Sequence, residues 1–344
     1  VGCGCSGPTA VTASPLPIRP ELVGQVPYGA PQLDVPVALN VNENPFPPSP
    51  AAIDDLTAEL RAAALGLNRY PDRDALTLRA ELADYLNRSS TDRGDAGDGV
   101  DGAAGARPVL TADWIWVANG SNEVMTHVLG AFGGPGRSML TFPPTYSMYP
   151  EYARATHTEL RTFSRDDAFG LDPAAVAAHV RETHPDVVVL TSPNNPTGTA
   201  APPELLDALL ATAPGMVVLD EAYAEFARPG STQALDWLPE HPRLIVTRTM
   251  SKAFALAGAR VGYAAAHPQV IDALRIVRLP YHLSALTQAA ASAALRHADD
   301  LLAAVDLLRS ERDRVVGSLR ERGFAVADSD ANFALFGRFS DRHA

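Results

Sequence analysis

The sequence LIVTRTMSKAFALAGARVGY, residues 244–263, starts as an apolar strand, turns through small residues and returns as a second strand. Between the two strands lies Lys252, which is the only lysine among the 28 Lys and Arg side chains. A guanidinium stays protonated, but a lysine amine can lose its proton and form a Schiff base with a carbonyl. The pattern therefore predicts a reactive amine at this position. The alternative is an arginine-biased composition in which one surface lysine has no chemical role.

Composition excludes several classes of protein. The chain has 344 residues, 46% of them hydrophobic, with a net charge of −12 at pH 7. This acidic charge offers nucleic acid no basic face, and no apolar run approaches the roughly 20 residues that span a bilayer. Cys3 and Cys5 are too few for a structural zinc site, so we expect no metal. We expect a soluble cytoplasmic protein without nucleic-acid or membrane partners.

From Trp114 onward, β-rich runs alternate with helical patterns, which predicts an α/β fold with a mostly parallel sheet covered on both faces. The apolar runs VVVL and MVVL are typical of strands buried on both sides. After Pro268 the chain reads as helical to about residue 323, and a strand pair is predicted over 324–328 and 332–337. The six predicted strands before it are 114–119, 138–142, 186–192, 216–221, 244–249 and 260–266.

Polar residues follow these strands, and ligands of open α/β sheets bind outside the carboxyl ends of strands. Ser121 and Asn122 stand at a helix start, where free backbone N–H groups and a hydroxyl suit a phosphate. An ordinary helix cap is the alternative. Tyr146 follows the next strand after two prolines and can stack on a planar ring, although a packing role is more usual for one tyrosine.

Three further side chains belong to the same set. Asn195 lies in SPNNPTG, a turn closed by Gly198, and is predicted to point its amide into the cleft. Asp220 ends a buried strand, where a carboxylate is unfavourable unless it pairs with a cation. Tyr223 follows three residues later. For Asp220 a helix-capping role is the alternative.

Pyridoxal 5′-phosphate is one ligand that uses every member of the set. Its ring offers a face to Tyr146, a protonated nitrogen to Asp220 and a phenolic oxygen to Asn195 and Tyr223. Its aldehyde reacts with Lys252. Asp220 would keep the ring nitrogen protonated, so that the ring accepts electron density from the substrate α-carbon. The predicted phosphate-binding residues are Ser121, Asn122, Thr249, Ser251 and Arg260.

The chain resembles the fold-type-I pyridoxal-phosphate enzymes related to aspartate aminotransferase, and most closely the histidinol-phosphate aminotransferases. The resemblance runs from about Pro27 to Gly337. It implies a large cofactor-binding domain over 66–275 and a smaller α/β domain built from 25–65 and 276–344. The phrases that carry it are PYGAPQL, LNVNENPFPPS, RYPD, NGSNE, FPPTYSMYP, SPNNPTG, DEAYAEF, TRTMSKAFALAGARVGY, RLPYHLS and SDANFALF.

The resemblance implies an activity and several further roles. L-Histidinol phosphate and 2-oxoglutarate would exchange an amino group, giving imidazole acetol phosphate and glutamate in histidine biosynthesis. Lys252 would hold the cofactor and then shuttle a proton. The family is homodimeric, which places Tyr70 near the partner's cofactor phosphate. Tyr28 and Asn44 are expected to close over the substrate.

Two segments depart from the family pattern or add to it. The family continues beyond ANFALFGRFSDRHA with arginines in a segment resembling LR-x-T-x-G, and neither Arg338 nor Arg342 stands in that motif. We therefore expect an incomplete small domain and weakened substrate binding. Residues 1–24 read as a flexible tail, and 89–108 read as a flexible Gly- and Asp-rich insertion.

Other functions remain open from the sequence. The chain could instead be an aminotransferase for aromatic or other amino acids, or a relative that decarboxylates threonine phosphate. An interpretation from a different class is a non-catalytic protein that binds pyridoxal phosphate or only dimerises.

Overall fold

The computed structural model describes residues 17–29, 34–37, 39–91, 109–228, 231 and 233–337. Contacts divide the chain into two units, Val1–Asn42 and Glu43–Ala344. The first unit contains a short 3₁₀ helix, Pro20–Leu22, in its described part. The predicted tail up to residue 16 and most of the predicted insertion lie outside the described residues. The predicted boundary between a large and a small domain near residue 275 stays a prediction.

A seven-stranded sheet forms the centre of the second unit, in the order β1-β7-β6-β5-β4-β2-β3. Neighbours from β3 to β6 are parallel, whereas β7 is antiparallel to both β6 and β1. Strand β1 therefore runs in the same direction as β6. The carboxyl ends of β1, β2, β4, β5 and β6 thus lie together along one edge of the sheet. The strands are β1 Ile115–Ala118, β2 Ser138–Thr141, β3 Glu159–Thr162, β4 Val187–Thr191, β5 Met216–Asp220, β6 Leu244–Thr249 and β7 Gly262–Ala266.

Helices cover both faces of this sheet. Several begin at a side-chain cap: Ser49, Asp172 and Ser284 each accept a hydrogen bond from a backbone N–H of the first turn. Such a cap stabilises a helix by about 1 kcal/mol. The helices are α1 Pro50–Ala64, α2 Leu76–Thr91, α3 Ser121–Phe132, α4 Tyr149–Thr156, α5 Pro173–Thr183, α6 Pro203–Thr212, α7 Pro268–Val277, α8 Ala285–Arg296 and α9 Ala298–Glu321.

The core has two layers, because successive side chains of a strand point to opposite faces of the sheet. Leu140, Val188 and Val246 face a cluster that includes side chains of α2, α5 and α6. Met139 and Ile245 face a second cluster, formed with α3, α4 and α7. Burial of both faces confirms the predicted α/β fold with a mostly parallel sheet.

The structure differs from the sequence-based prediction in four places, the last of which is the segment 324–337. The six strands predicted before residue 270 are present, but the sequence pattern does not predict the edge strand β3. Its side chains are partly or fully exposed, so it lacks the continuous apolar run that marks its neighbours. The predicted helical stretch after Pro268 divides at His297 into α8 and α9. Helix α2 continues to Thr91, past the expected start of the insertion at Ser89.

The strand pair predicted over 324–337 is reduced to one antiparallel bridge, Val326↔Phe336. Backbone groups between its two arms bond elsewhere: Asp330 N–H donates to the carbonyl of Gly198, and Arg312 donates to the carbonyl of Ala331. These bonds hold the segment as a loop instead of a ladder. Among the described helices, none is long and apolar enough to cross a membrane.

Candidate active site

Most of the predicted site residues stand at the edge of the sheet where β1, β2, β4, β5 and β6 end. Helix α3 begins at Ser121, three residues after β1, and Asp220 is the last residue of β5. Strand β6 ends at Thr249, which places Lys252 in the loop between β6 and β7. The parallel strands thus gather side chains that lie as much as 131 positions apart in sequence, from Ser121 to Lys252.

Two glycines shape the start of α3. Gly120 precedes the helix with φ of +80°, and a Cβ there would lie 2.6 Å from Nη2 of Arg260. A Cβ on Gly262 would lie 2.1 Å from the backbone nitrogen of Ser121. Strand β7 and the guanidinium of Arg260 can therefore approach the first turn of α3 only because these positions lack side chains. The close approach directs a cation and helix N–H groups to one place, which suits a phosphate.

Hydroxyl groups complete this cradle. Thr249 Oγ1 donates to Ser251 Oγ across 3.0 Å, and the Ser251 backbone N–H donates to Thr249 Oγ1 across 3.1 Å. Arg260 Nη1 lies 3.4 Å from Ser251 Oγ. Arg260 has a φ of +58°, a conformation that is uncommon for residues other than glycine and frequent at functional sites.

Asp220 is buried, and one of its two carboxylate oxygens accepts a hydrogen bond. The Tyr149 hydroxyl donates to Asp220 Oδ2 across 2.8 Å, and Thr191 Oγ1 lies 2.5 Å from the same phenol oxygen. Within the described residues, Asp220 Oδ1 has no hydrogen-bond partner although it is buried. Burial raises the pKa of Asp220, while the bond from Tyr149 opposes the rise. A buried carboxylate oxygen without a partner, such as Asp220 Oδ1, can accept a hydrogen bond from the N–H of a protonated pyridine ring.

Tyr149 is absent from the residues that the sequence predicts. It starts α4 three positions after Tyr146, and its side chain is fully buried. The phrase YSMYP offers only tyrosine spacing as a signal. The hydrogen bond from Tyr149 to Asp220 joins residues 71 positions apart. The role of Tyr149 becomes visible only in the structure, where α4 packs against the sheet.

The predicted ring-binding residues occupy the same edge. The Tyr146 hydroxyl lies 3.4 Å from Asn122 Oδ1, and its ring meets the Tyr149 ring edge to face at 5.7 Å. Asn195 Nδ2 lies 3.4 Å from the hydroxyl of Tyr223. The neighbouring Asn194 is fully buried and donates to Thr197 in its own turn and to the carbonyl of Pro144, whereas Asn195 is only half-buried.

Lys252 is half-buried, and burial lowers the pKa of its amine. The cationic Arg260 lowers the pKa further, whereas Glu43 opposes both effects. A lowered pKa increases the fraction of neutral amine, which is the nucleophilic form. The cradle, the unpartnered oxygen of Asp220 and this amine together fit pyridoxal phosphate.

Three predicted residues remain: Asn44, Tyr70 and Tyr28. Asn44 Nδ2 donates to the carbonyl of Ala253 across 3.3 Å, next to Lys252 in the chain. Tyr70 is 80% exposed and stacks on Tyr281 with ring centroids 4.4 Å apart. Tyr28 belongs to the first unit, and its predicted role stays a prediction. Arg338 and Arg342 lie outside the described residues.

Sequence comparisons agree with this chemistry. The model of the family "Aminotransferase class I and II" matches residues 35–344. Histidinol-phosphate aminotransferase of Thermobifida fusca is 55% identical over 338 residues, covering 98% of this chain and 87% of the relative. Histidinol-phosphate aminotransferase 3 of Burkholderia lata is 54% identical over 334 residues, covering 97% of this chain and 86% of the relative.

A structural comparison supports the same family. The crystal structure of histidinol-phosphate aminotransferase from Sinorhizobium meliloti in complex with pyridoxal-5′-phosphate has a TM-score of 0.72 at 26% identity. The match covers 86% of this chain and 74% of that structure. It confirms the predicted fold type I. The chain belongs to the class I and II aminotransferases and, within them, to the histidinol-phosphate aminotransferase family.

Proposed function

We propose that this protein transfers the amino group of L-histidinol phosphate to 2-oxoglutarate with pyridoxal phosphate as cofactor. One observation carries the proposal. The only lysine of the chain has a lowered pKa and stands at the same sheet edge as a buried carboxylate with an unpartnered acceptor oxygen among the described residues. Relatives at 54–55% identity that carry the name histidinol-phosphate aminotransferase support the choice of substrate.

The cofactor's phosphate would lie at the start of α3 and its ring between Tyr146 and the β5 end. Asp220 Oδ1 would accept from the ring nitrogen, and Asn195 with Tyr223 would bond the phenolic oxygen. When bound, the cofactor supplies an electron-accepting ring that stabilises negative charge on the substrate α-carbon. The residues that would hold the phosphate are Ser121, Asn122, Thr249, Ser251 and Arg260.

Lys252 would act twice. Its neutral amine would first attach the cofactor, and once released it would move a proton from the substrate α-carbon. The burial that lowers its pKa serves both steps, because a protonated amine can neither attack a carbonyl nor accept a proton. Asn44, held beside Ala253, would help to enclose the substrate next to this amine.

The proposal includes a homodimer, as the family resemblance implies, that acts in the cytoplasm. The exposed ring of Tyr70 supports it, because a stacked pair of tyrosines left in water exposes apolar surface that a partner subunit would cover. Tyr70 would then approach the partner's cofactor phosphate. Tyr28 would close over the substrate from the N-terminal segment.

A donor panel tests the proposal. The purified protein with pyridoxal phosphate and 2-oxoglutarate is given L-histidinol phosphate, L-phenylalanine, L-tyrosine or L-aspartate, and glutamate is measured. We expect kcat/KM for L-histidinol phosphate to exceed that of the other donors by about 100-fold, a difference of about 2.7 kcal/mol. Lys252→Arg, which keeps the charge, is the matched control and should abolish turnover. Faster reaction of an aromatic donor would overturn the substrate assignment.

A further inference from the structure

The residue just before the phosphate cradle makes an unusual set of bonds. Asn119 Nδ2 donates to Glu123 Oε2 across 2.8 Å and to the carbonyl of His282 across 2.7 Å. Its backbone N–H donates to the same Glu123 oxygen across 2.7 Å. One carboxylate oxygen and one carbonyl thus hold Asn119 at three points, directly beside Gly120.

These bonds direct Glu123 away from the helix N–H groups. A glutamate at the third helical position commonly reaches back to the N-cap residue. Here the N-cap is Gly120, and Glu123 instead bonds the residue before it. In the described part of the chain, no side chain caps the first turn of α3. The N–H groups of Ser121 and Asn122 are therefore left to a ligand, although the carboxylate of Glu123 stands in the same helical turn.

His282, whose carbonyl accepts the second hydrogen bond from the Asn119 amide, is itself held in place by β1. Its ring stacks on Trp116 with centroids 5.5 Å apart and an interplanar angle of 8°. His282 Nε2 lies 2.9 Å from the carbonyl of Val117. Because Trp116 and Val117 belong to the buried strand β1, the His282 carbonyl that receives Asn119 is held against the sheet.

We propose that Asn119 and Glu123 are positioning residues that orient the N–H groups of the phosphate cradle. Neither touches the cofactor. Both fix the backbone immediately before Ser121, so that the N–H groups, Arg260 and Ser251 converge on one anion. This inference rests on the proposed function, because it requires that a phosphate binds there.

The test separates phosphate binding from folding. The dissociation constants of pyridoxal phosphate and of pyridoxal, which lacks the phosphate, are measured on the cofactor-free protein. Their ratio reports the cradle alone. Asn119→Ala should weaken pyridoxal phosphate binding about tenfold while leaving pyridoxal binding nearly unchanged. Asn87→Ala is the matched control, since Asn87 makes an equivalent two-bond clamp to the backbone of Leu110 away from the site.

Two variants of Glu123 distinguish the effect of its hydrogen bonds to Asn119 from the effect of its negative charge. Glu123→Gln keeps an oxygen that accepts both Asn119 bonds, so the ratio should stay within about twofold of wild type. Glu123→Ala removes the acceptor and should lower the preference for the phosphate about tenfold, like Asn119→Ala. If the charge of Glu123 dominated, both variants would instead bind pyridoxal phosphate more tightly, which would overturn the inference.

The remaining outcomes are also distinct. A wild-type protein that binds pyridoxal and pyridoxal phosphate equally would refute the cradle itself and with it the proposed function. A wild type that prefers the phosphate, together with an Asn119→Ala variant that keeps that preference, would refute only the role of Asn119. An equal loss of preference in Asn87→Ala would show a general loss of structure and would likewise refute it.

Discussion

At the scale of the residue, Asp220 combines a buried carboxylate with an oxygen that finds no partner among the described residues. A group with a raised pKa contributes stability that is present below its unfolded pKa and lost as pH rises through the folded pKa. In the cofactor-free protein, Asp220 is therefore destabilising at neutral pH. Asp220→Asn should raise the free energy of unfolding by about 1–2 kcal/mol at pH 7.

Urea unfolding over a range of pH checks this expectation. The advantage of Asp220→Asn should shrink as the pH falls, because protonated Asp220 is neutral too. Asp313 is the control, because hydrogen bonding from Arg312 lowers its pKa, so its charged form stabilises the fold where that of Asp220 destabilises it. Asp313→Asn should lose a little stability at neutral pH and less in acid. An Asp220→Asn advantage that is independent of pH would contradict the burial argument.

The same substitution should harm function. The neutral amide of Asp220→Asn cannot stabilise a positive charge on the ring nitrogen, so kcat should fall by about 100-fold or more. Gain of stability with loss of turnover is the pattern of a residue kept for chemistry. A variant that is both more stable and fully active would show that Asp220 does not face the cofactor.

The amine of Lys252 offers a second test at this scale. Because the chain has one lysine, the rate of its modification by an amine reagent reports one side chain. The midpoint of the rate–pH profile, followed on the Lys252 peptide, should lie below the ordinary lysine value of about 10.4. Arg260→Met should raise the midpoint and Glu43→Gln should lower it. Shifts in the same direction for both variants would contradict the electrostatic assignment.

At the scale of the element, the contact between β7 and α3 depends on Gly262. An alanine Cβ would overlap the backbone at Ser121, and neither a strand nor a helix start can yield easily. Gly262→Ala should lower the free energy of unfolding by more than about 2 kcal/mol and weaken pyridoxal phosphate binding. Gly258→Ala is the control, because nothing lies within 4 Å of its Cβ position. Thermal unfolding measures both, and equal stability of the two variants would refute the close approach.

Elements with continuous apolar runs could be predicted from the sequence, and others could not. The run VVVL and its equivalents mark strands buried on both faces, which is why the pattern predicts six strands. Strand β3 lies at the sheet edge with polar side chains, so its pattern resembles a loop. The pair over 324–337 has the alternation of strands, but hydrogen bonds with Gly198, Arg228 and Arg312 hold it as a loop.

The site divides in the same way. Side chains at the carboxyl end of a strand, such as Asp220 and Thr249, could be located from sequence position, because topology alone brings strand ends together. Tyr149 and the bond from Asn119 to His282 depend on how a helix or a distant loop packs, and no local pattern encodes that contact. Roles that involve a partner subunit, such as that of Tyr70, remain predictions.

At the scale of the whole molecule, the proposed homodimer predicts complementation between two inactive variants. Lys252→Ala removes the amine, and Tyr70→Ala removes a group from the partner's site. In a mixed dimer, one site has both Lys252 and the partner's Tyr70. Exchange of subunits in an equal mixture should restore about one quarter of wild-type activity by random pairing. A mixture no more active than its components would show that Tyr70 acts within its own subunit or not at all.

The most direct test of the central claim is the site of cofactor attachment. The protein is incubated with pyridoxal phosphate, its visible absorbance is recorded with and without L-histidinol phosphate, and the complex is reduced with borohydride for peptide mass mapping. We predict a visible band that L-histidinol phosphate discharges, and an adduct on the peptide containing Lys252 that Lys252→Arg lacks. A band whose absorbance does not change when L-histidinol phosphate is added would contradict the proposed substrate. The absence of an adduct on Lys252 would contradict the assignment of the sheet edge as the cofactor site.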